Sequence, residues 1–386
     1  MQLKIAFYSD TYLPAVDGVV MSILNLKKEL ERRGHKVYIF TSGDKSSKKA
    51  YSGKDVFIMH GMTFKPYPQY KIALFPYASL LKKEFPSIDI VHVHTPFSMG
   101  LAGMLASKLW NIPIVGTYHT MIADKNVINS YYPRNKRLKR VTGKYMQRYA
   151  RFFYNRCRIT MAPSETIKKV LSRYGVTNTM VVPNSIDLKL FNQRASGAKI
   201  RTRLRIKARE KMILYVGRMS REKRIETLLM AAKLLGKKRD DIKIVVCGTG
   251  PALDYYKRMA ARLGLHNVRF TGFVDHKELP KYYAASTLLC LPSTFETQGM
   301  VAIEAMAVGK PVVGADYLAL KELIQNGKNG ERFRPGDYIS CSRKIEKVLN
   351  DSGAYTQEAI KTARKYSLDK VTDKVLEVYK LVLSGS

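Results

Sequence analysis

Cysteine is sparse in this chain of 386 residues: Cys157, Cys247, Cys290 and Cys341 stand far apart and form no Cys-x-x-Cys pair. That spacing excludes a disulfide framework and a zinc site and leaves four buried or inert thiols. Long apolar runs are missing too. None reaches the roughly 18 residues that suggest a membrane-spanning helix, and the nearest, residues 99–115, is interrupted by Lys108 and Asn111. There is no short-period repeat and no low-complexity tract. The chain opens directly on an alternating strand from Leu3 to Tyr8, which leaves no room for a secretory leader, so the expected location is the cytoplasm.

Acids are the scarcer charged class, 31 Asp and Glu against 67 Lys and Arg, for a net charge of +36. An excess of that size repels itself in a compact fold and points to a polyanionic partner, either nucleic acid or an anionic membrane surface. No zinc finger and no RNP-type aromatic signature accompanies the charge, which makes nucleic acid the weaker alternative.

The length favours two domains. Apolar strands at residues 36–41, 88–94, 112–118 and 158–162 alternate with amphipathic helices such as 20–33, the pattern of a parallel sheet covered on both faces. The alternation restarts at 212–216 and continues through 242–247, 268–271, 288–291 and 311–313. Weak periodicity with Asn, Gln, Ser and Gly places a linker at 190–199.

The most informative segment runs from Phe295 to Ala305 and contains Glu296 and Glu304 with seven residues between them. On one continuous helix those carboxylates would lie about 80° apart. The apolar run 288–291 reads instead as a buried strand, which puts Glu296 in the loop at its carboxyl end and Glu304 on the next helix. Ligands of open α/β sheets bind at such strand ends. Gly299 then opens a helix whose first N–H groups, those of Met300 and Val301, lack intrahelical acceptors and suit a phosphate.

Taken with Gly217-Arg218-Met219-Ser220-Arg221-Glu222-Lys223, Val182-Pro183-Asn184-Ser185-Ile186-Asp187 and Gly272-Phe273-Val274, this segment resembles glycosyltransferase family 4, over nearly the whole chain. The resemblance implies a GT-B fold, α/β, with two Rossmann-like domains facing a central cleft. Residues 1–192 would form the acceptor- and membrane-binding domain, 193–367 the nucleotide-sugar-binding domain, and 368–386 a helix crossing back to the first. Arg218 and Lys223 are implied to hold the donor diphosphate, Glu304 the ribose and Glu296 the donor sugar, with Val274 beside the base. The loop around Gly18 would face the donor. His119 matches the family's active-site histidine, expected to contact the sugar without serving as a general base. The expected catalytic set is therefore His119, Glu296, Arg218 and Lys223. Arg224 departs from the pattern, because the family commonly has glycine after the lysine. No Asp-x-Asp occurs, and His92 and His94 find no third ligand, so neither metal nor cofactor is expected. The reaction should be a metal-independent, retaining transfer from a UDP- or GDP-linked sugar.

Residues 125–164 contain no acid. Arg134, Lys136, Arg137, Lys139, Arg140, Lys144, Arg148 and Arg151 accumulate there, with Tyr145, Met146, Tyr149, Phe152 and Phe153 at near-helical spacing. Such a helix either lies at a bilayer interface or packs its aromatics inward. Residues 65–77 also mix cations with aromatics, and residues 91–100 resemble membrane-associated diacylglycerol glucosyltransferases, with phosphatidylinositol mannosyltransferases as relatives. The leading expectation is transfer of glucose or mannose to a lipid hydroxyl, with the protein peripheral on the inner face of the cell membrane. A soluble sugar, thiol or protein acceptor is the alternative.

Overall fold

A computed structural model describes residues 2–15, 17–44, 47, 53–63, 71–74, 87–119, 121 and 136–385. The chain divides into two compact units, Met1–Ser185 with Leu368–Ser386, and Ile186–Ser367.

The first unit is built on a sheet of β1 (Lys4–Ser9), β2 (Lys36–Gly43), β3 (Val56–Thr63), β4 (Lys71–Ala73), β5 (Ile90–Val93), β6 (Ile114–Thr117), β7 (Ile159–Ala162) and β8 (Thr179–Val181). Their spatial order is β4-β3-β2-β1-β5-β6-β7-β8. Every neighbouring pair is parallel except β3 and β4. Central β5 and β6 are buried along their whole length, which is why they read as largely apolar rather than alternating segments. The helix Gly18–Arg32 turns Val19, Ile23, Leu26 and Leu30 inward at helical spacing.

The C-terminal helix Leu368–Ser384 belongs to this unit. Val375, Val378, Tyr379 and Val382 join the same apolar core as Ile23 and Leu30. Arg33 pairs with Asp373 at 2.5 Å, and Arg158 donates to the Val382 carbonyl at 3.0 Å. Tyr379 is fully buried, with its hydroxyl 2.7 Å from Nδ1 of His92.

The second unit holds a fully parallel sheet of β9 (Lys211–Val216), β10 (Ile242–Cys247), β11 (Val268–Gly272), β12 (Leu288–Leu291), β13 (Val312–Ala315) and β14 (Gly330–Phe333). Its order is β11-β10-β9-β12-β13-β14. Residues 190–199, expected as a linker, lie within this unit, because Phe191 is buried in its core and the chain changes unit earlier, after Ser185. In each sheet the order reverses at one place, between β1 and β5 and between β9 and β12. Those are the topological switch points, where the loops at strand ends part and leave a crevice.

Tyr379→Ala removes a large buried side chain and strips His92 of a partner, so it should destabilise the first unit by about 3–5 kcal/mol. Urea unfolding followed by fluorescence of the sole tryptophan, Trp110, which lies in that unit, measures the effect. An unchanged midpoint would contradict the packing of the C-terminal helix.

Candidate active site

The switch point of the second unit gathers most of the expected residues. The loop after β9 carries Arg218, half-buried, and runs into a 3-10 turn at Arg221–Lys223. Tyr215 donates its hydroxyl to the Arg218 carbonyl at 3.1 Å, which anchors the loop to its own strand. The loop after β12 carries Glu296. Lys223 joins the two loops: its Nζ donates to Glu296 Oε1 at 2.7 Å and to the Phe295 carbonyl at 3.0 Å. Thr294 adds a backbone bond to the Glu222 carbonyl at 3.1 Å. The side chains of Lys223 and Glu296 are only 17% and 14% exposed, so their charges interact through a medium less polar than water. An ammonium has three N–H groups, and two of them are engaged here.

Arg224 adopts φ 54° and ψ 36°, the left-handed region. This backbone suits glycine, and an arginine there carries a cost of about 1–2 kcal/mol. The loop therefore keeps the shape that a glycine would favour, despite the substitution.

Gly299 caps the helix Met300–Ala307 in the left-handed region at φ 81°, and a Cβ there would stand 2.9 Å from Leu320 Cδ2. With no side chain to cap the helix, the N–H groups of Met300 and Val301 precede its first acceptors. Glu304 sits one turn further along and is buried. Tyr283 donates to its Oε2 at 2.8 Å, and His276 Nε2 lies 3.4 Å from its Oε1. Phe191 packs edge-on against both the His276 and the Tyr283 rings. Tyr283, His276 and Phe191 were not singled out from sequence. Only His276, two residues beyond Val274, lay near a motif. Val274 follows β11, is partly buried, and packs against the core of this unit. With strands about 4.8 Å apart, β11 stands about two spacings from β9, so its loop meets a different part of any long ligand than Lys223 does.

In the first unit Gly18 opens a helix, but Asp17 already accepts from the N–H groups of Val19 and Val20, both at 2.9 Å. The first-turn position left for a phosphate is therefore Gly18 itself, and a Cβ built there would meet nothing within 4 Å. Asp10, to which the sequence assigned no role, directly follows β1 and is fully buried. It accepts from Thr95 Oγ1 at 2.6 Å, from Ser98 Oγ, and from Met99 N at 2.9 Å. Burial pushes its carboxyl above the usual range, against the pull of those donors. It ties β1 to the start of the helix Ser98–Leu109 across the switch point.

His119 is buried beyond the end of β6, with Nε2 3.1 Å from Nδ1 of His94. His94 stacks on His92 at a centroid distance of 4.1 Å. The His92 nitrogens meet Tyr379 and Thr117 hydroxyls, both at 2.7 Å. Among the described residues no group of three or more His, Cys, Asp or Glu is placed to hold a metal ion.

The basic segment forms the helix Lys136–Tyr154. Its aromatics divide. Phe153 and Tyr154 are buried, and Tyr149 donates to the Pro96 carbonyl. Val141, Tyr145 and Phe152 are exposed large hydrophobics, and Arg140, Lys144, Arg148 and Arg151 are exposed beside them. Arg156 lies over the Phe152 ring at 3.6 Å. Arg134, and the side chains of Lys136, Arg137 and Lys139, lie outside the described residues, as does most of 65–77. No helix among the described residues is long and apolar enough to cross a membrane.

Comparison with known proteins matches residues 16–190 to the profile described as Glycosyltransferase Family 4 and residues 197–366 to Glycosyl transferases group 1. The alpha-monoglucosyldiacylglycerol synthase of Streptococcus pneumoniae is 32% identical over 86% of this chain and 75% of its own length. A D-inositol 3-phosphate glycosyltransferase of Corynebacterium diphtheriae is 28% identical over 94% of this chain and 89% of its own. Among solved structures, Anabaena HepE in complex with UDP and glucose superposes with a TM-score of 0.77 at 21% identity, covering 98% of this chain and all of that one, a likeness of fold.

The three histidines give the first unit a defined response to acid. Burial pushes His92 and His119 down to about 3 and His94 well below its usual value, while each returns to about 6.5 in the unfolded chain. Protons therefore bind the unfolded chain first as pH falls. The stability is complete above about pH 6.5 and is lost as pH falls toward the folded values, with a slope approaching about 4 kcal/mol per pH unit for three such groups. Urea midpoints of the first unit at pH 7, 6 and 5 should fall steadily, and a flat profile would mean that these rings charge in place.

Proposed function

Because the chain belongs to glycosyltransferase family 4, a family of retaining enzymes that use nucleotide sugars, we propose that it moves a hexose, glucose or mannose, from a UDP- or GDP-linked donor to a diacylglycerol-type or phospholipid-type hydroxyl at an anionic membrane surface. The observation that supports the donor half is the joining of the β9 and β12 loops by Lys223 and Glu296 beside an uncapped helix start. A diphosphate leaving group gains negative charge as the glycosidic bond breaks. Fixed cations and backbone N–H groups stabilise that change more than they stabilise the bound donor. Lys223 has one N–H left over from its two protein contacts, and we assign it with Arg218, Met300 N, Val301 N and Gly18 to the diphosphate. Glu304, held by Tyr283, is assigned to the ribose and Val274 to the border of the base. Glu296 and, by resemblance to the family, His119 are assigned to the donor sugar. No step in this assignment requires a metal ion.

The acceptor half rests on the exposed face of the helix Lys136–Tyr154. Val141, Tyr145 and Phe152 there are interleaved with four cations. Near an anionic bilayer each Lys or Arg contributes about 1 kcal/mol, so the cluster outweighs a few partly inserted apolar groups. The S. pneumoniae relative, named for monoglucosyldiacylglycerol, supports the same acceptor class. A second reading, transfer to a soluble sugar, thiol, protein or other polar acceptor, is favoured by the name of the C. diphtheriae relative, a D-inositol 3-phosphate glycosyltransferase, and by the inward packing of Tyr149 and Phe153.

Incubation with UDP- and GDP-sugars, in the presence of either diacylglycerol-containing vesicles or soluble acceptors that include sugars and inositol phosphate, separates the two readings. The expected product is a glycolipid of retained anomeric configuration by NMR, formed equally with and without EDTA. Arg218→Ala, Lys223→Ala and Glu296→Ala should each lower turnover on the order of a hundredfold, about 3 kcal/mol of transition-state stabilisation, with folding intact. Near-normal turnover in all three would reject the donor site.

Replacing Arg140, Lys144, Arg148 and Arg151 together with Glu should abolish sedimentation with anionic vesicles while donor affinity persists. Binding by the original chain should weaken as salt rises, because the Debye length is about 8 Å at physiological ionic strength. Unchanged sedimentation of the reversed protein would remove this helix from the membrane contact.

A further inference from the structure

His94 has no part in the roles assigned above, although it touches the one histidine that does. Its ring is fully enclosed: Phe7 meets it edge-on at a centroid distance of 4.6 Å, His92 stacks on it at 4.1 Å, and His119 lies at 5.4 Å. Nδ1 reaches His119 Nε2 at 3.1 Å, whereas Nε2 is buried with no partner among the described residues.

This asymmetry selects a tautomer. Burial keeps the imidazoles neutral near pH 7, so each carries one proton. A proton on His94 Nε2 would be an orphaned buried donor, the rarer kind of unsatisfied group, whereas a bare ring nitrogen is an unused weak acceptor. The proton of His94 is therefore on Nδ1. Which nitrogen of a histidine is protonated is set by the bond that the other makes. An N–H arriving at His119 Nε2 obliges that nitrogen to accept, and the proton of His119 then resides on Nδ1.

We propose that His94 is a positioning residue that donates Nδ1–H to His119 Nε2 and so holds His119 with its proton on Nδ1, as a hydrogen-bond donor toward the sugar. The proposal rests on the glycosyl-transfer reading for the role of His119, but not for the tautomer itself. His92 supports the arrangement from behind. The Tyr379 and Thr117 hydroxyls fix both of its nitrogens, which sets the ring on which His94 stacks. The group that presents His119 is thus connected by direct contacts to the C-terminal helix.

The test uses the full chain labelled with 15N-histidine. Long-range imidazole spectra of the original protein should show His119 protonated on Nδ1 alone. His94→Phe keeps a stacked ring and removes the donor. His119 should then lose its single tautomer, and kcat with a nucleotide sugar should fall about tenfold or more while the donor KM changes less than about threefold, the pattern of a contact made mainly in the transition state. His94→Asn places an amide N–H near the position of Nδ1 and should restore both the spectrum and most of kcat. If the Phe variant does not fold, His94→Gln, whose amide reaches the position of Nε2 instead, takes its place in the comparison with Asn. An unchanged His119 tautomer in the Phe variant overturns the proposal, as does an altered tautomer with unchanged kcat, or equal kcat in Asn and Gln. An original protein inert toward every nucleotide sugar overturns the transfer reading instead, and the imidazole spectra still decide the tautomer.

Discussion

Two parallel strands cannot be joined by a tight turn, and that constraint organises both units. Each strand must be followed by a crossover before the next can start in the same direction, so all the carboxyl ends of the second sheet collect along one edge. There the loops after β9 and β12 become neighbours, which allows Lys223 to bond Glu296 across a separation of 73 residues. The loops after β9 and β10 also approach backbone to backbone. A Cβ on Gly248 would stand 1.9 Å from the Gly217 carbonyl oxygen, and Met219 N bonds the Thr249 carbonyl at 2.8 Å. The shape of the strand-end crevice in the second unit is therefore set in part by main-chain contacts.

The scarcity of acids acquires a meaning in the fold. Among the described residues five carboxylates, Asp10, Glu29, Glu210, Glu304 and Glu331, are buried, and each is paired. Glu331 is fully buried and accepts from Lys344 at 2.7 Å, Lys347 at 2.5 Å and Tyr355 at 3.2 Å. Arg32, with help from Arg33, holds the Glu29 carboxyl down to about 2. Asp10 caps a helix start from a neighbouring strand, and Glu304 and Glu296 lie in the candidate site. A carboxylate enclosed in this way does little to neutralise the surface, where the remaining cations stand exposed. The positive field outside and the anchored acids inside are thus one distribution of charge. The helix Lys136–Tyr154 shows both sides of it, with Phe153 and Tyr154 in the core and Arg140, Lys144 and Arg148 outward.

Much of this was legible in the sequence because it is encoded locally. The strands at 242–247 and 288–291 lie at the expected bounds, since a short, mostly apolar run between turn residues has few other stable fates in an α/β protein. Glu296 in a loop and Glu304 on a helix follow from the same reading. The eight-residue β3 and the short strands β4, β8 and β14 lie outside the strands expected from sequence. Three or four residues carry too little periodicity to reveal a strand, and β4 pairs antiparallel at the sheet edge.

The sequence by itself determined two α/β sheets, the strand-end position of the E-x7-E segment, and a strongly cationic helix, because apolar period, turn residues and charge are properties of neighbours along the chain. It identified Arg224 as a departure, but only the backbone angles revealed that arginine occupies the left-handed conformation which glycine would favour. Tertiary structure alone decided which aromatics of the cationic helix face inward. It also decided that Tyr283 and His276 attend Glu304, and that Tyr379, 287 residues from His92, closes the histidine cluster. Those partnerships depend on packing between segments remote in sequence, where no local pattern records which side chain will meet which.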